Sequence, residues 1–367
     1  MRTRSLMRSL SFLCISLALA APLANAAPAA PRPQFGSDRV LPALSLTDTD
    51  QYTAHALAMP AKAFSGNASA VNIGNIAVGW YQTRNGSFAV SWDPAGLRTE
   101  LGALPGLPSS LANGINDSGA IVGFAFTNDF LSSRAFVWHA GTGMQPLADL
   151  GGSASLAQAI NASGTIVGWA DDAIGAIHAV RWDASGKITD LNPPGAVSQA
   201  LGINDKGDIV GWVFAADASA SHAWLWRHDG VQIDLQTLGG ASSQANAVNN
   251  ALAVVGVSDR RVGQPVAFVW TPATGMRNLG FGSSSQAHAI NDRGRAAGLR
   301  VINAGVLGLT RTLATKAQVL PDVAAEKNPF SGVDGMNLCG TLVGSSSSPD
   351  PTDGNPVPAR WTKTDCD

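Results

Sequence analysis

Apolar residues in this chain come in short runs broken by turn residues, and the runs recur in a fixed order. Ser155-Leu-Ala-Gln-Ala-Ile-Asn161 mixes small and apolar residues, and Thr165-Ile-Val-Gly-Trp169 is apolar almost throughout. His178-Ala-Val-Arg-Trp182 and Gly186-Lys-Ile-Thr-Asp-Leu191 follow. Between the first two runs stands Asn161-Ala-Ser-Gly164, with counterparts at Asn116–Gly119, Asn204–Gly207 and Asn291–Gly294. An asparagine with glycine three residues on suits a type I turn closed by a left-handed glycine, a common hairpin connection. The pattern predicts four short strands joined by tight turns. Strands apolar on both faces predict sheets covered on both sides.

The set recurs seven times. An asparagine preceded by an apolar residue falls at Asn72, Asn116, Asn161, Asn204, Asn249, Asn291 and Asn337, at spacings of 44, 45, 43, 45, 42 and 46. Seven positions later comes glycine in every copy: Gly79, Gly123, Gly168, Gly211, Gly256, Gly298 and Gly344. Four positions earlier stands alanine, or Val333 in the last copy; six earlier stands serine, or Gly66 in the first. Some twenty residues after the asparagine a tryptophan closes the third run in six copies: Trp92, Trp138, Trp182, Trp226, Trp270 and Trp361. Four strands in about 44 residues, repeated radially, make a β-propeller blade, whereas β-solenoid repeats are shorter and carry fewer strands. The prediction is an all-β, seven-bladed β-propeller filling 50–367 as one domain. Only six residues follow Trp361, against nine from Trp226 to Leu235, so the last blade lacks its own outer strand. Register places residues 50–58 in that role, with an N-terminal strand closing the ring. The sixth copy has Leu309-Thr-Arg311 where the tryptophan run belongs.

Composition agrees with this. Charged residues are 14% and apolar residues 45%, with 40 glycines and only two glutamates, Glu100 and Glu326. Long surface helices would carry more Glu and Lys, and a disordered chain would be less apolar. Residues 1–26 read as a secretory signal, with Arg2, Arg4 and Arg8, an apolar stretch from Leu10 to Ala21, and Ala24-Asn25-Ala26 before a cleavage near Ala26–Ala27. Phe12 and Leu13 before Cys14 argue against a lipid anchor, and no later segment has the length of apolar residues that spans a membrane. Residues 27–49 read as an Ala/Pro-rich leader. The chain is thus expected to be exported, to the periplasm or beyond the cell. Without the three signal arginines the formal charge goes from -2 to -5, which gives no basic face for nucleic acid. Cys339 and Cys366 remain, a disulfide candidate in an oxidising compartment.

The run Ala159-Ile-Asn-Ala-Ser-Gly-Thr-Ile-Val-Gly168 and the third-strand starts His178-Ala-Val, His222-Ala-Trp, Arg134-Ala-Phe and Val266-Ala-Phe resemble the HAF-repeat family of extracellular bacterial proteins. The resemblance spans about 66–361. It implies export and a repeat architecture, and it carries no catalytic residues. No copy spells His-Ala-Phe in full.

Catalytic signatures are absent from the sequence: there is no Gly-x-Ser-x-Gly, His-Glu-x-x-His or Gly-x-x-x-x-Gly-Lys segment. His178 and His222 share one repeat position, and Asp117, Asp190, Asp205, Asp234 and Asp292 sit at turns or strand ends, so structural roles are expected and no metal or cofactor is implied. The aromatic after the repeat glycine in four copies, Trp80, Phe124, Trp169 and Trp212, offers an arc of ligand-stacking platforms if exposed and inter-blade packing if buried. The functional expectation is a monomeric, non-enzymatic binding module for an extracellular glycan or protein, engaged at the variable-loop face or the channel mouth. Two alternatives stand beside it: a secreted polysaccharide hydrolase or lyase, which an axial Asp–His cluster would favour, and a structural matrix component.

Overall fold

The computed structural model describes residues 52–363 except 193–194, 215–219, 324–329 and 349–354. The predicted signal, the leader and Cys366 lie outside the described residues. The described residues belong to one compact unit, Ala43–Asp367. Their regular structure is entirely β: seven antiparallel four-stranded sheets arranged as the blades of a β-propeller. Blade 3 shows the plan, with Gly151–Ile160 innermost, then Ile166–Asp172, Ile177–Trp182 and Ile188–Asp190 outermost. Blade 7 differs. Its inner three strands, Ser331–Met336, Leu342–Ser346 and Val357–Lys363, take their outer partner from the start of the propeller, Tyr52–Ala56. The pairing runs from Tyr52 opposite Lys363 to Ala56 opposite Ala359, and the Leu57 amide extends it to the Pro358 carbonyl. Buried Arg360 on that third strand reaches across to blade 1 and donates to the carbonyls of Asp93 and Pro94, both at 3.0 Å.

Each repeat signal has a mechanical cause. In all seven inner strands the residue three before the asparagine is skipped by the ladder, a β-bulge. The bulge presses the inner strand onto the second strand, and a Cβ on the repeat glycine would lie 2.0 Å from a carbonyl oxygen at Gly79, Gly123, Gly168 and Gly256. Glycine is therefore required there for close approach, not for its φ. The turn glycines are the converse case. Gly119, Gly164, Gly207, Gly294 and Gly340 have positive φ, and Asn75 and Leu252 take the same conformation in blades 1 and 5.

The core is divided into seven wedges, one between each pair of neighbouring blades. Trp182 in the wedge between blades 2 and 3 is fully buried, and its indole donates to the Ala148 carbonyl of blade 2 at 2.8 Å. Trp92, Trp226 and Trp361 make the same bond to Ala58, Leu191 and Pro321. Between blades 5 and 6 Phe281 and Leu309 do the filling instead. The serine six before the asparagine is a second stitch. Ser155, Ser198, Ser243 and Ser285 each accept, through Oγ, the backbone N–H of the third-strand alanine in the preceding blade at 2.8–3.0 Å. Those alanines, Ala135, Ala179, Ala223 and Ala267, are wholly buried, which is why no larger side chain appears there.

Candidate functional site

The seven repeat asparagines form a closed hoop at the turn-side end of the central channel. Each Nδ2 donates to the backbone carbonyl of the asparagine in the next blade, from Asn72 to Asn116 and around to Asn337, which donates to Asn72; the distances are 3.0–3.3 Å. Each Oδ1 accepts the backbone N–H four residues on, closing its own turn at 2.9–3.0 Å. An asparagine is needed because one side chain must donate across the interface and accept within the turn.

The residues before, at and after these asparagines line a cavity of about 260 Å³ at the channel mouth. Its inner level is apolar, from Val71 to Met336. Its rim is uneven: Asp205, Asn250 and Asp292 stand on blades 4 to 6, with exposed Leu338 and Ile73 on blades 7 and 1. The rim carboxylates are engaged by the preceding blade. Asp117 accepts the Ile73 amide, Asp205 the Ala162 amide and Asp292 the Asn250 amide, while the Asn250 side chain bridges Asp205 and Asp292. The mouth is built chiefly as a second set of stitches.

Seven-fold regularity ends at the bulge position. There the blades carry Ser69, Asn113, Gln158, Leu201, Asn246, His288 and Asp334. Asn113 and Asn246 reach the Ala157 and Ala287 carbonyls of the next blade. His288 does likewise: its Nδ1 lies 2.9 Å from the Val333 carbonyl and 3.1 Å from Asp334 Oδ1, and its Nε2 is 3.3 Å from Gln286 Oε1. From the other side Asn67 of blade 1 donates to Asp334 Oδ2 at 2.9 Å. One His–Asp–Asn chain thus links blades 6, 7 and 1 on the inner strands. Burial, the largest influence on His288, favours the neutral ring. The hydrogen bond and charge of Asp334, with the Val333 carbonyl, outweigh it and raise the pKa above the ordinary histidine value. Three oxygens around the ring suit an imidazolium, which donates from both nitrogens.

The other histidines keep repeat roles. His178 pairs with Asp190 at 2.7 Å and His222 with Asp234 at 2.9 Å, each tying the third strand to the outer one, and Arg134, at the same third-strand position, holds Asp149 three residues beyond the outer strand Gly143–Pro146. No three potential metal ligands gather among the described residues. The proposed stacking arc divides. Phe124 and Trp169 are buried, with Phe124 stacked on Phe126 at 5.3 Å, so neither offers a face to a ligand. Trp80 and Trp212 are half-buried. Cys339 sits in the turn between Asn337 and Gly340; its expected partner, Cys366, is outside the described residues. Sequence reasoning missed His288, Asp334 and Asn67. The available signal for His288 and Asp334 was the irregularity of the bulge position beside the regular repeat positions; Asn67 lies outside it, five residues before Asn72.

The fold places the chain among seven-bladed β-propellers. No family model matches it, and no curated protein resembles it in sequence. Solved structures resemble it in fold. Virginiamycin B lyase from Staphylococcus aureus superposes with a TM-score of 0.55 at 12% identity, over 85% of this chain and 99% of that one. The propeller domain of the Trilobed protease from Pyrococcus furiosus gives 0.55 at 10% identity, over 83% and 98%. Prolyl oligopeptidase B from Galerina marginata gives 0.53 at 10% identity, over 78% of this chain and 48% of that one. At such identities the likeness is one of fold.

Proposed function

We propose that the chain is an exported, non-enzymatic β-propeller of the HAF-repeat kind that binds a glycan or protein outside the cytoplasm, as a monomer. One observation carries this. The side chains that repeat are consumed in stitching blades together, and three polar side chains that break the repeat, His288, Asp334 and Asn67, meet on the inner strands of blades 6, 7 and 1. In a repeat scaffold, residues that depart from the common pattern and meet in space are those free to serve a ligand. The test is a glycan array together with capture on intact cell surfaces, using the chain from residue 27. Saturable binding to either is expected, and silence in both overturns the reading.

A second reading, a polysaccharide hydrolase or lyase, is favoured by the His288–Asp334 pair, which has the partners of an acid–base group. Polysaccharide turnover that His288→Ala abolishes while leaving the fold intact would establish it in place of the first. A Cys339–Cys366 bridge belongs to the same exported state. An unchanged mass after alkylation of the denatured, unreduced chain supports it, and two added alkyl groups refute it.

A further inference from the structure

Seven-fold regularity also fails at the mouth of the channel, and there the irregular side chains are open to solvent. At four blade junctions the residue after the hoop asparagine accepts the amide of its counterpart in the preceding blade. Asp117 accepts from Ile73, Asp205 from Ala162, Asn250 from Asp205 and Asp292 from Asn250, at 2.7–3.0 Å. Blades 7 and 1 carry Leu338 and Ile73 at this position, and an aliphatic side chain has no acceptor to offer. The side-chain stitch is therefore missing at two successive junctions, from blade 6 to blade 7 and from blade 7 to blade 1. In its place stand two large apolar side chains that line the cavity and are 39% and 48% exposed.

The rim across from them is acidic. Asp205 and Asp292 are exposed, and among the described residues each accepts only neutral donors, a backbone amide and the Asn250 side chain. Neutral donors fix a carboxylate in place without cancelling its charge, and each carboxylate keeps lone pairs to spare. Asn250 Nδ2 lies 3.1 Å from Asp205 and 2.7 Å from Asp292, so both carboxylates are within reach of a single guanidinium. Asp117 adds a third negative charge, and no lysine, arginine or histidine lines the cavity among the described residues. Lys206 and Arg293 follow in the turns but lie outside the lining. A concavity lined by one sign of charge draws in the other. At about 260 Å³ it is smaller than the roughly 300–1,000 Å³ of a small-molecule pocket, and suits one inserted side chain.

We infer that the channel mouth docks a protein partner that inserts one arginine. Its guanidinium reaches Asp205 and Asp292, and an apolar neighbour of that arginine rests on Leu338 and Ile73. A planar fork of five donors serves two carboxylates at once, which the point charge of a lysine does less well. This rests on the binding reading above and gives its protein partner a chemistry.

The test is selection from a phage-displayed library of random heptapeptides on the immobilised chain from residue 27, followed by calorimetry with the enriched peptides. They are expected to carry an arginine beside an apolar residue and to bind more weakly at high salt. Asp292→Asn, which keeps an oxygen for the Asn250 amide, should weaken them about tenfold through loss of a charge-assisted hydrogen bond. Leu338→Lys sets a cation in the mouth at an exposed position that makes no side-chain stitch. It is expected to abolish binding, and it carries the test should Asp292→Asn fail to fold. Enriched peptides that lack arginine, or that bind both variants unchanged, overturn this docking site and leave the binding reading standing. A glycan whose binding Leu338→Lys abolishes assigns the mouth to sugar and overturns it too. No enrichment overturns the docking site, while the glycan array and cell-surface capture separately decide the wider reading.

Discussion

Asn161→Asp isolates one half of the hoop, because it exchanges an N–H donor for an oxygen of the same size. Asn161 is 5% exposed; its Nδ2 donates to the Asn204 carbonyl at 3.1 Å, and its Oδ1 accepts the Thr165 amide at 2.9 Å. An ionised carboxylate would set an anion against the Asn204 carbonyl with several kcal/mol of desolvation. A protonated carboxyl can donate to that carbonyl and restore the bond. Proton uptake from an ordinary value near 3.9 costs about 1.36 kcal/mol per pH unit, so about 4 kcal/mol at pH 7 and about 1.5 kcal/mol at pH 5. Those figures bound the destabilisation. The sign follows from a folded-state pKa raised above the unfolded one: the protonated form's stability is present at low pH and lost as pH rises towards the folded value. Guanidinium unfolding followed by tryptophan fluorescence at pH 5 and pH 7 measures it, each variant against wild type at the same pH. Asn161→Ala, which removes both backbone bonds and the one from Ser163 Oγ, should cost about 2–3 kcal/mol at either pH. If Asn161→Asp costs under about 1 kcal/mol at pH 7, or equal amounts at both pH values, the hoop bond is not contributing as described.

Three further outcomes are expected. Gly168→Ala puts a Cβ 2.0 Å from the Leu156 carbonyl oxygen and should cost more than about 3 kcal/mol or prevent folding. Gly186→Ala, where φ is +83° and no atom lies within 4 Å, should cost only about 1–2 kcal/mol in the same unfolding assay. Ser243→Ala strands the Ala223 amide and the Gln236 carbonyl and should lower stability by about 1–3 kcal/mol, visible as a fall in Tm. The raised His288 pKa gives stability that is complete below the ordinary histidine value and declines as pH rises through the raised one; thermal melts from pH 5.5 to 9 should show a loss of about 1 kcal/mol in wild type that is absent in His288→Gln.

Blade number, strand count and the closing segment were legible in the sequence because they depend on spacing. The asparagine, glycine, serine and tryptophan registers each mark a contact made once per blade, so repetition exposed them before their partners were known. The segment predicted around 50–58 is seen as the strand Tyr52–Ala56. The β-bulge was hidden, because a skipped residue breaks the two-residue period that strands are read by, although the obligatory glycine was its trace. His288 and Asp334 are 46 positions apart, and neither stands out until the inner strands are laid side by side. The fates of Trp80 and Trp169 were equally illegible: both follow the same glycine, yet Trp169 is buried and Trp80 is half open.

The strand Tyr52–Ala56 belongs by sequence to the beginning of the chain and by hydrogen bonding to its last sheet. It is therefore an exchangeable part. Two copies of the chain at high concentration can trade this strand, each sealing the other's seventh blade, and every contact in the swapped pair already exists in the single ring. The pair would dissociate only when both five-residue ladders open, so a dimer formed during refolding would persist on dilution. Closure by a strand from the far end of the chain thus gives the ring both its seal and its simplest route to a larger assembly.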